Sequence, residues 1–345
     1  MKNKRLLMTL VTMSLTVLLT GCGVKKENKA NIDTKTSTNK EQTLIPVRFG
    51  ADSGTFSIQF QVAKEKGYFE KYGIKPEISV YSYGIDTLNA ALTDQVDVGE
   101  AMDFAALSRF SSGDLKILSF IQTGKAEKSK LLARDGISSV EELKGKKIGV
   151  QKATVNEYVV AKYLDKFNIK PNEISKEGLS SNAELIAAFE RGDIKAAFFS
   201  GTFLDKALKV QGARVIGSQA DIPFAPRGFL VAKDKLLKEK PEAAKRILLA
   251  LNEASKWINE NPEAAGEIAF KTLKLPKDGV ARDLKDITNE IRLTNEDVEQ
   301  LRDVYDYAVK NNLIKGGFNL KEKIVIEPLK QALPEKLGYN PDNLK

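Results

Sequence analysis

"KYGIKPEIS" spans Lys71–Ser79, and "KFNIKPNEIS" spans Lys166–Ser175. In both places a helix-like stretch gives way to an extended one. Working outward from the first copy, "IPVRFGA" from Ile45 alternates and is rich in β-formers, so it reads as a strand. The polar turn "DSGTFS" and the helical run "IQFQVAKEKGYF" follow. After the phrase come a strand "EISVYS", a helix "GIDTLNAALTDQ", a short buried strand "VDVGEA", a helix "MDFAALSRF" and a strand "LKILSFIQ". Around the second copy the order repeats: "VEELKGKKIGVQ" ends in a strand, "KAT" turns, "VNEYVVAKYLDKF" is helical, "NAELIAAFERGD" is helical and "IKAAFFS" is a buried strand. Phe49 and Gly149, Lys71 and Lys166, and Val96 and Ile194 keep nearly constant spacing. "IKP" on its own is a common helix exit, because proline stops helices and biases its predecessor to extended geometry. Three echoes in register point instead to two lobes of one plan. Alternating strands and helices predict an α/β fold with mostly parallel sheets flanked by helices. Such sheets bind ligands at the carboxyl ends of their strands, so two of them mouth to mouth form a ligand cleft.

Composition narrows the chemistry. The 345 residues suit about two lobes or domains. There is no histidine, which removes the commonest general base and metal ligand. The single cysteine removes disulfides, cysteine zinc sites and a Cys/His nucleophile pair. No metal site, cofactor site or ATPase-type phosphate loop is legible, and no enzymatic activity is expected. The formal charge of +8 is concentrated at the front, where Lys2, Lys4, Arg5 and a lysine-rich segment precede a nearly balanced body. That distribution carries no nucleic-acid footprint.

"MKNKRLLMTLVTMSLTVLLTGC" has a basic start, an apolar run and small residues, the layout of a secretory signal peptide over residues 1–21. "LLTGC" resembles a bacterial lipobox, which makes Cys22 the lipidated first residue; the bland reading is an incidental cysteine. Residues 22–44 are polar and read as a flexible tether. The body is therefore expected outside the cell, lipid-anchored to the outer face of the membrane. The tail, through "LLKEKPEAAKRILLALNEASKWINENPEAAGEIAF", "ARDLKDITNEI" and "NEDVEQLRDVYDYAVKNNLI", reads as helical packing material with Trp257 in the core. No exposed apolar stripe at heptad spacing occurs, so a monomer is expected.

At "VAKEKGYFEKYGI", "ELKGKKIGV" and "KEKPEAAKRILLALNEASKWINENPEAA", the chain resembles solute-binding lipoproteins of ABC importers. More narrowly, it is similar to the group serving aliphatic sulfonates, taurine, nitrate and thiamine-pyrimidine precursors. The resemblance covers about residues 45–310. It implies a type 2 periplasmic-binding-protein fold with hinge crossings near Glu127–Lys130 and Ala225–Gly228. Residues 45–127 then form the first part of lobe one, 128–226 form lobe two, and 227–345 return to lobe one with the C-terminal helices. It also implies capture of a small solute by hinge closure and delivery to a permease with its ATPase. An aliphatic sulfonate or taurine is the first choice of solute. A nitrate-like anion, a thiamine pyrimidine precursor and a non-transport ligand-sensing role are the alternatives. Enzymes of this fold include a thiamine-pyrimidine synthase, whose chemistry needs histidine.

Candidate ligand residues fall at strand-to-helix turns. The loops "DSGTFS" (Asp52–Ser57) and "KATVN" (Lys152–Asn156) supply Ser53, Gly54, Thr55, Phe56 and Ser57 from one and Thr154, Val155 and Asn156 from the other. Hydroxyls and free N–H groups at helix N-termini suit an anion. Ser57 and Thr154 also read as plain N-caps. Gly84 is a candidate that also reads as a turn glycine. Asp103 is read either as an acceptor for a ligand amine or as a helix cap. Ser200 and Thr202 stand where related proteins often carry an aromatic, a departure that favours a small polar ligand. Arg227 is read either as a bidentate anion ligand or as a hinge residue paired with a surface carboxylate.

Overall fold

The structure is a computed structural model that describes residues 44–343. The signal peptide (1–21), Cys22 and the tether as far as residue 43 lie outside the described residues. Among the described residues, no helix is long and apolar enough to cross a membrane.

Among the described residues, twelve strands build two sheets. They are β1 (Ile45–Asp52), β2 (Ile74–Tyr81), β3 (Val98–Met102), β4 (Leu115–Gly124), β5 (Lys130–Ala133), β6 (Lys147–Gln151), β7 (Ser175–Leu179), β8 (Ala196–Phe199), β9 (Arg214–Ser218), β10 (Arg227–Lys233), β11 (Ile287–Thr294) and β12 (Leu337–Gly338). The seven-stranded sheet has the order β12-β11-β4-β10-β3-β1-β2, and the five-stranded sheet β7-β6-β8-β5-β9. The chain passes between the sheets through residues 125–129 and returns through 219–226.

The repeat is topological. In lobe one β1 lies parallel between β2 and β3, and in lobe two β6 lies parallel between β7 and β8. Beside β3 and β8 comes the strand that has just entered from the other lobe, β10 and β5 respectively, and it runs antiparallel. Beyond these lie β4 and β9, also antiparallel to their entering neighbours. The sheets are thus mixed rather than mostly parallel. A strand that arrives across the hinge enters its sheet from the cleft end, so it runs against the βαβ strands already there.

The opening phrase marks the same joint in each lobe, with different local solutions. In lobe one Gly67 takes φ 71°, the left-handed region that favours glycine, and separates helix 58–65 from the short helix 68–71. β2 then begins at Ile74, so "IKP" lies within the strand. Pro76 is tolerated there because β2 is the sheet edge. In lobe two Pro171 opens a 3-10 turn over Pro171–Glu173, and β7 starts at Ser175.

Alternation along β1 buries Val47, Phe49 and Ala51, and helix 58–65 lays Phe60 and Val62 against them. Phe49 meets Phe60 and Phe69 at ring-centroid distances of 5.3 and 4.7 Å. The tail backs lobe one through helices 241–260, 262–273 and 295–310. Two readings of it need correction. "ITNEIRLT" is β11, inserted beside β4 with Asn289, Ile291 and Leu293 buried, not helical material. Trp257 is half-buried at the edge of the core, with Lys66 Nζ 4.8 Å from its ring centroid.

Candidate functional site

The carboxyl ends of β1, β3, β6 and β8 face one another across a cleft of about 500 Å³ between the lobes. Gly54, Thr55, Phe56 and Gly84 line it from lobe one. Thr154, Val155, Asn156, Ser200 and Thr202 line it from lobe two. The two N-termini of helices 84–92 and 155–166 therefore oppose each other, and helix geometry leaves their first N–H groups without intrahelical partners. The Thr154 hydroxyl caps helix 155–166 by accepting from Asn156 N–H at 3.1 Å, and the residue also lines the cleft.

The remaining candidates do not line the cleft. Ser53 is exposed and its hydroxyl donates to Ser82 O at 3.2 Å. Ser57 is fully buried behind the turn, where its hydroxyl donates to Asp52 O at 2.7 Å, so it holds the loop instead of facing a solute. Asp103 is fully buried; it accepts Phe104 N–H at 2.7 Å, Arg227 N–H at 3.2 Å and Gln300 Nε2 at 3.4 Å. Burial pushes its carboxyl up to about 7. It pins the start of β10 and has no face left for a ligand amine. Arg227 turns to helix 295–310, pairing with the exposed Glu296 at 2.5 Å and the buried Asp297 at 3.1 Å. Of its two readings, the hinge residue paired with a surface carboxylate is the one that matches this geometry.

Several lining residues were not singled out, Asp52 among them although its loop was. Asp52, the last residue of β1, lies in the cleft with Tyr83, Gln151 and Asn182. Its position at a strand's carboxyl end was the available signal. Asp52 Oδ1 accepts Gly54 N–H at 2.9 Å, and Asp52 N–H donates to Glu100 Oε1 at 3.2 Å. Burial raises both carboxyls, Asp52 to about 6 and Glu100 well above the carboxylate range, and the Asp52 charge raises Glu100 further. Glu100 Oε2, Tyr83 OH and Asn156 Oδ1 are buried without a hydrogen-bond partner.

Cations at the mouth are already engaged. Lys125 and Lys128, in the first crossing, reach Asp286 at 2.9 and 2.7 Å. Arg282 of lobe one pairs with Asp205 of lobe two at 2.8 Å and with Asp283 at 2.9 Å. Gly201 opens helix 201–207 with φ 53°, and a Cβ there would stand 2.7 Å from Asp283 Oδ2. Helix 277–284 thus rests on helix 201–207, and the lobes are in contact across the cleft mouth. Arg282 and Asp283 fell within a segment read as packing material, and nothing in their spacing marks a lobe contact.

The chain matches other proteins over most of its length. A Bacillus subtilis protein assigned to aliphatic sulfonate binding is 27% identical over 94% of this chain and 96% of its own. A Brucella abortus protein assigned as a binding protein is 29% identical over 74% of this chain and 80% of its own. Among solved structures, the periplasmic aliphatic sulphonate binding protein of Escherichia coli superposes with a TM-score of 0.69 at 22% identity, over 81% of this chain and 92% of that one. The alkanesulfonate-binding protein of Xanthomonas axonopodis bound to MOPS gives 0.71 at 18% identity, over 81% and 98%. These superpositions establish the two-lobe periplasmic-binding-protein fold. The family model described as NMT1/THI5 like matches residues 55–265, and the chain belongs to the NMT1/THI5-like family.

Proposed function

We propose that this protein captures a small aliphatic sulfonate, taurine among them, between its lobes and hands it to the permease of an ABC importer. The observation that carries this reading is the convergence of two opposed helix N-termini, at Gly84–Ile85 and Thr154–Asn156, on one cleft between two lobes. N–H dipoles meet a compact anion there without a mobile cation. The paired state of Lys125, Lys128 and Arg282 fits a site that stabilises negative charge by dipoles. The names of the relatives in Bacillus subtilis and Escherichia coli support the same solute class. The lipobox-like "LLTGC" supports anchoring through Cys22 to the outer face of the cell membrane, with the described body outside. Large exposed apolar side chains (Val80, Leu208, Val215 and Phe270) are few among the described residues, in keeping with a monomer.

Ligand that binds only the folded state raises the melting temperature. Against a panel of alkanesulfonates, taurine, nitrate, thiamine pyrimidine precursors and amino acids, a sulfonate is expected to give the largest thermal shift. A shift with nitrate or a pyrimidine alone would keep the fold and replace the solute.

A further inference from the structure

The cleft contains more unpaired acceptors than an anion alone would use. Asn156 Oδ1 is buried without a donor. Asp52 brings a carboxyl to the same lining, where Gly54 N–H and the Ser57 hydroxyl approach its Oδ1 at 2.9 and 3.4 Å and the Ser57 backbone also faces the carboxyl. Behind it Glu100, fully buried, has Oε2 with no partner. The groups facing this pair are Ser57 and Gly54 on the β1 turn, Asp52 N–H on β1, and Tyr83 on the turn after β2. Among the described residues no lysine or arginine stands against either carboxyl. A buried acceptor left unmade costs its full desolvation, so such a site selects a ligand that brings donors.

We infer that Asp52, with Glu100 packed behind it, reads a protonated nitrogen on the solute, so that the preferred ligand is an aminoalkanesulfonate. This inference rests on the sulfonate reading above and deepens it. The amine end lies toward Asp52, and the sulfonate end toward the helix N-termini. Burial raises Asp52 to about 6, and an ammonium beside it favours its ionised form. Binding therefore releases a proton below pH 6, and affinity falls as the pH drops through that value. Both ends of taurine keep their charge over this range, so the protein alone titrates.

The test is calorimetric titration of the full chain with 2-aminoethanesulfonate and with ethanesulfonate, at pH 7.5 and pH 5. At pH 7.5 the amine is expected to improve affinity by about ten- to hundredfold, the range of a hydrogen bond to a charged group. That advantage shrinks at pH 5. Asp52→Asn keeps the acceptor for Gly54 N–H; it should lose both the amine preference and the pH response. Equal affinity for the two sulfonates, or a pH response that survives Asp52→Asn, overturns the inference and leaves the sulfonate reading intact. If neither sulfonate binds but 4-aminopyrimidine does, and Asp52→Asn abolishes that binding, the donor-reading role stands and the sulfonate reading falls. If none of the three binds, both fall.

Discussion

Asp297→Ala is expected to destabilise the protein by about 3–5 kcal/mol, the cost of removing one partner from a buried ion network. Asp297 is fully buried and serves three elements at once. It accepts Arg292 Nε and Nη2 at 3.1 and 3.0 Å, from β11. It accepts Thr294 N–H and Oγ1 at 3.0 and 2.8 Å, and Thr294 Oγ1 caps its own N–H at 3.2 Å, closing a capping box on helix 295–310. It also holds Arg227 Nε at 3.1 Å, at the point where the second crossing becomes β10. Without it two guanidiniums remain, one of them only 12% exposed and the other packed 3.8 Å over Phe120. Urea denaturation measures the loss. A change below about 1 kcal/mol, the range of an exposed pair, would contradict this assignment.

Gly84→Ala is expected to destabilise by about 1–3 kcal/mol, as overpacking does, and to abolish solute binding. An added Cβ would lie 2.8 Å from Glu100 O and 3.0 Å from Ala101 Cα, both backbone atoms of β3 that have no rotamer to yield. The helix 84–92 N-terminus must then move relative to the opposing one. Gly54→Ala is the control on the same cleft: its nearest neighbour would be Asp52 Oδ1 at 3.5 Å, ordinary contact, so stability should stay within about 0.5 kcal/mol. Equal thermal stability of the two variants would show that the β3 contact does not position the helix.

Local pattern carried most of the architecture. The strand-turn-helix units around Phe49 and Gly149 were legible because their alternation and helical periodicity are each confined to one lobe. β11 escaped because "ITNEIRLT" follows helical sequence and its period-two burial is set by β4, a partner far away in the chain. Strand direction escaped as well, since nothing in the residues of β5 or β10 records that they enter from across the hinge. For the site, the turn positions Gly54–Phe56 and Thr154–Asn156 follow from where parallel strands end. Asp103 and Arg227 did not follow the same rule. Their chemistry suits an amine or an anion, but Gln300, Glu296 and Asp297 from helix 295–310 claim both side chains. Only the tertiary packing of that helix decides between ligand and structure. Asp52 lay in the loop read as ligand-facing but was not itself singled out; its contact with Glu100 makes it a candidate.

The central claim is that one solute is held by both lobes at once. Amide hydrogen exchange, read by mass spectrometry with and without 2-aminoethanesulfonate, tests it most directly. Simultaneous protection of segments containing Gly84–Ile85 in lobe one and Val155–Asn156 in lobe two is the expected result. Protection confined to one lobe, or appearing only away from the cleft, would contradict it.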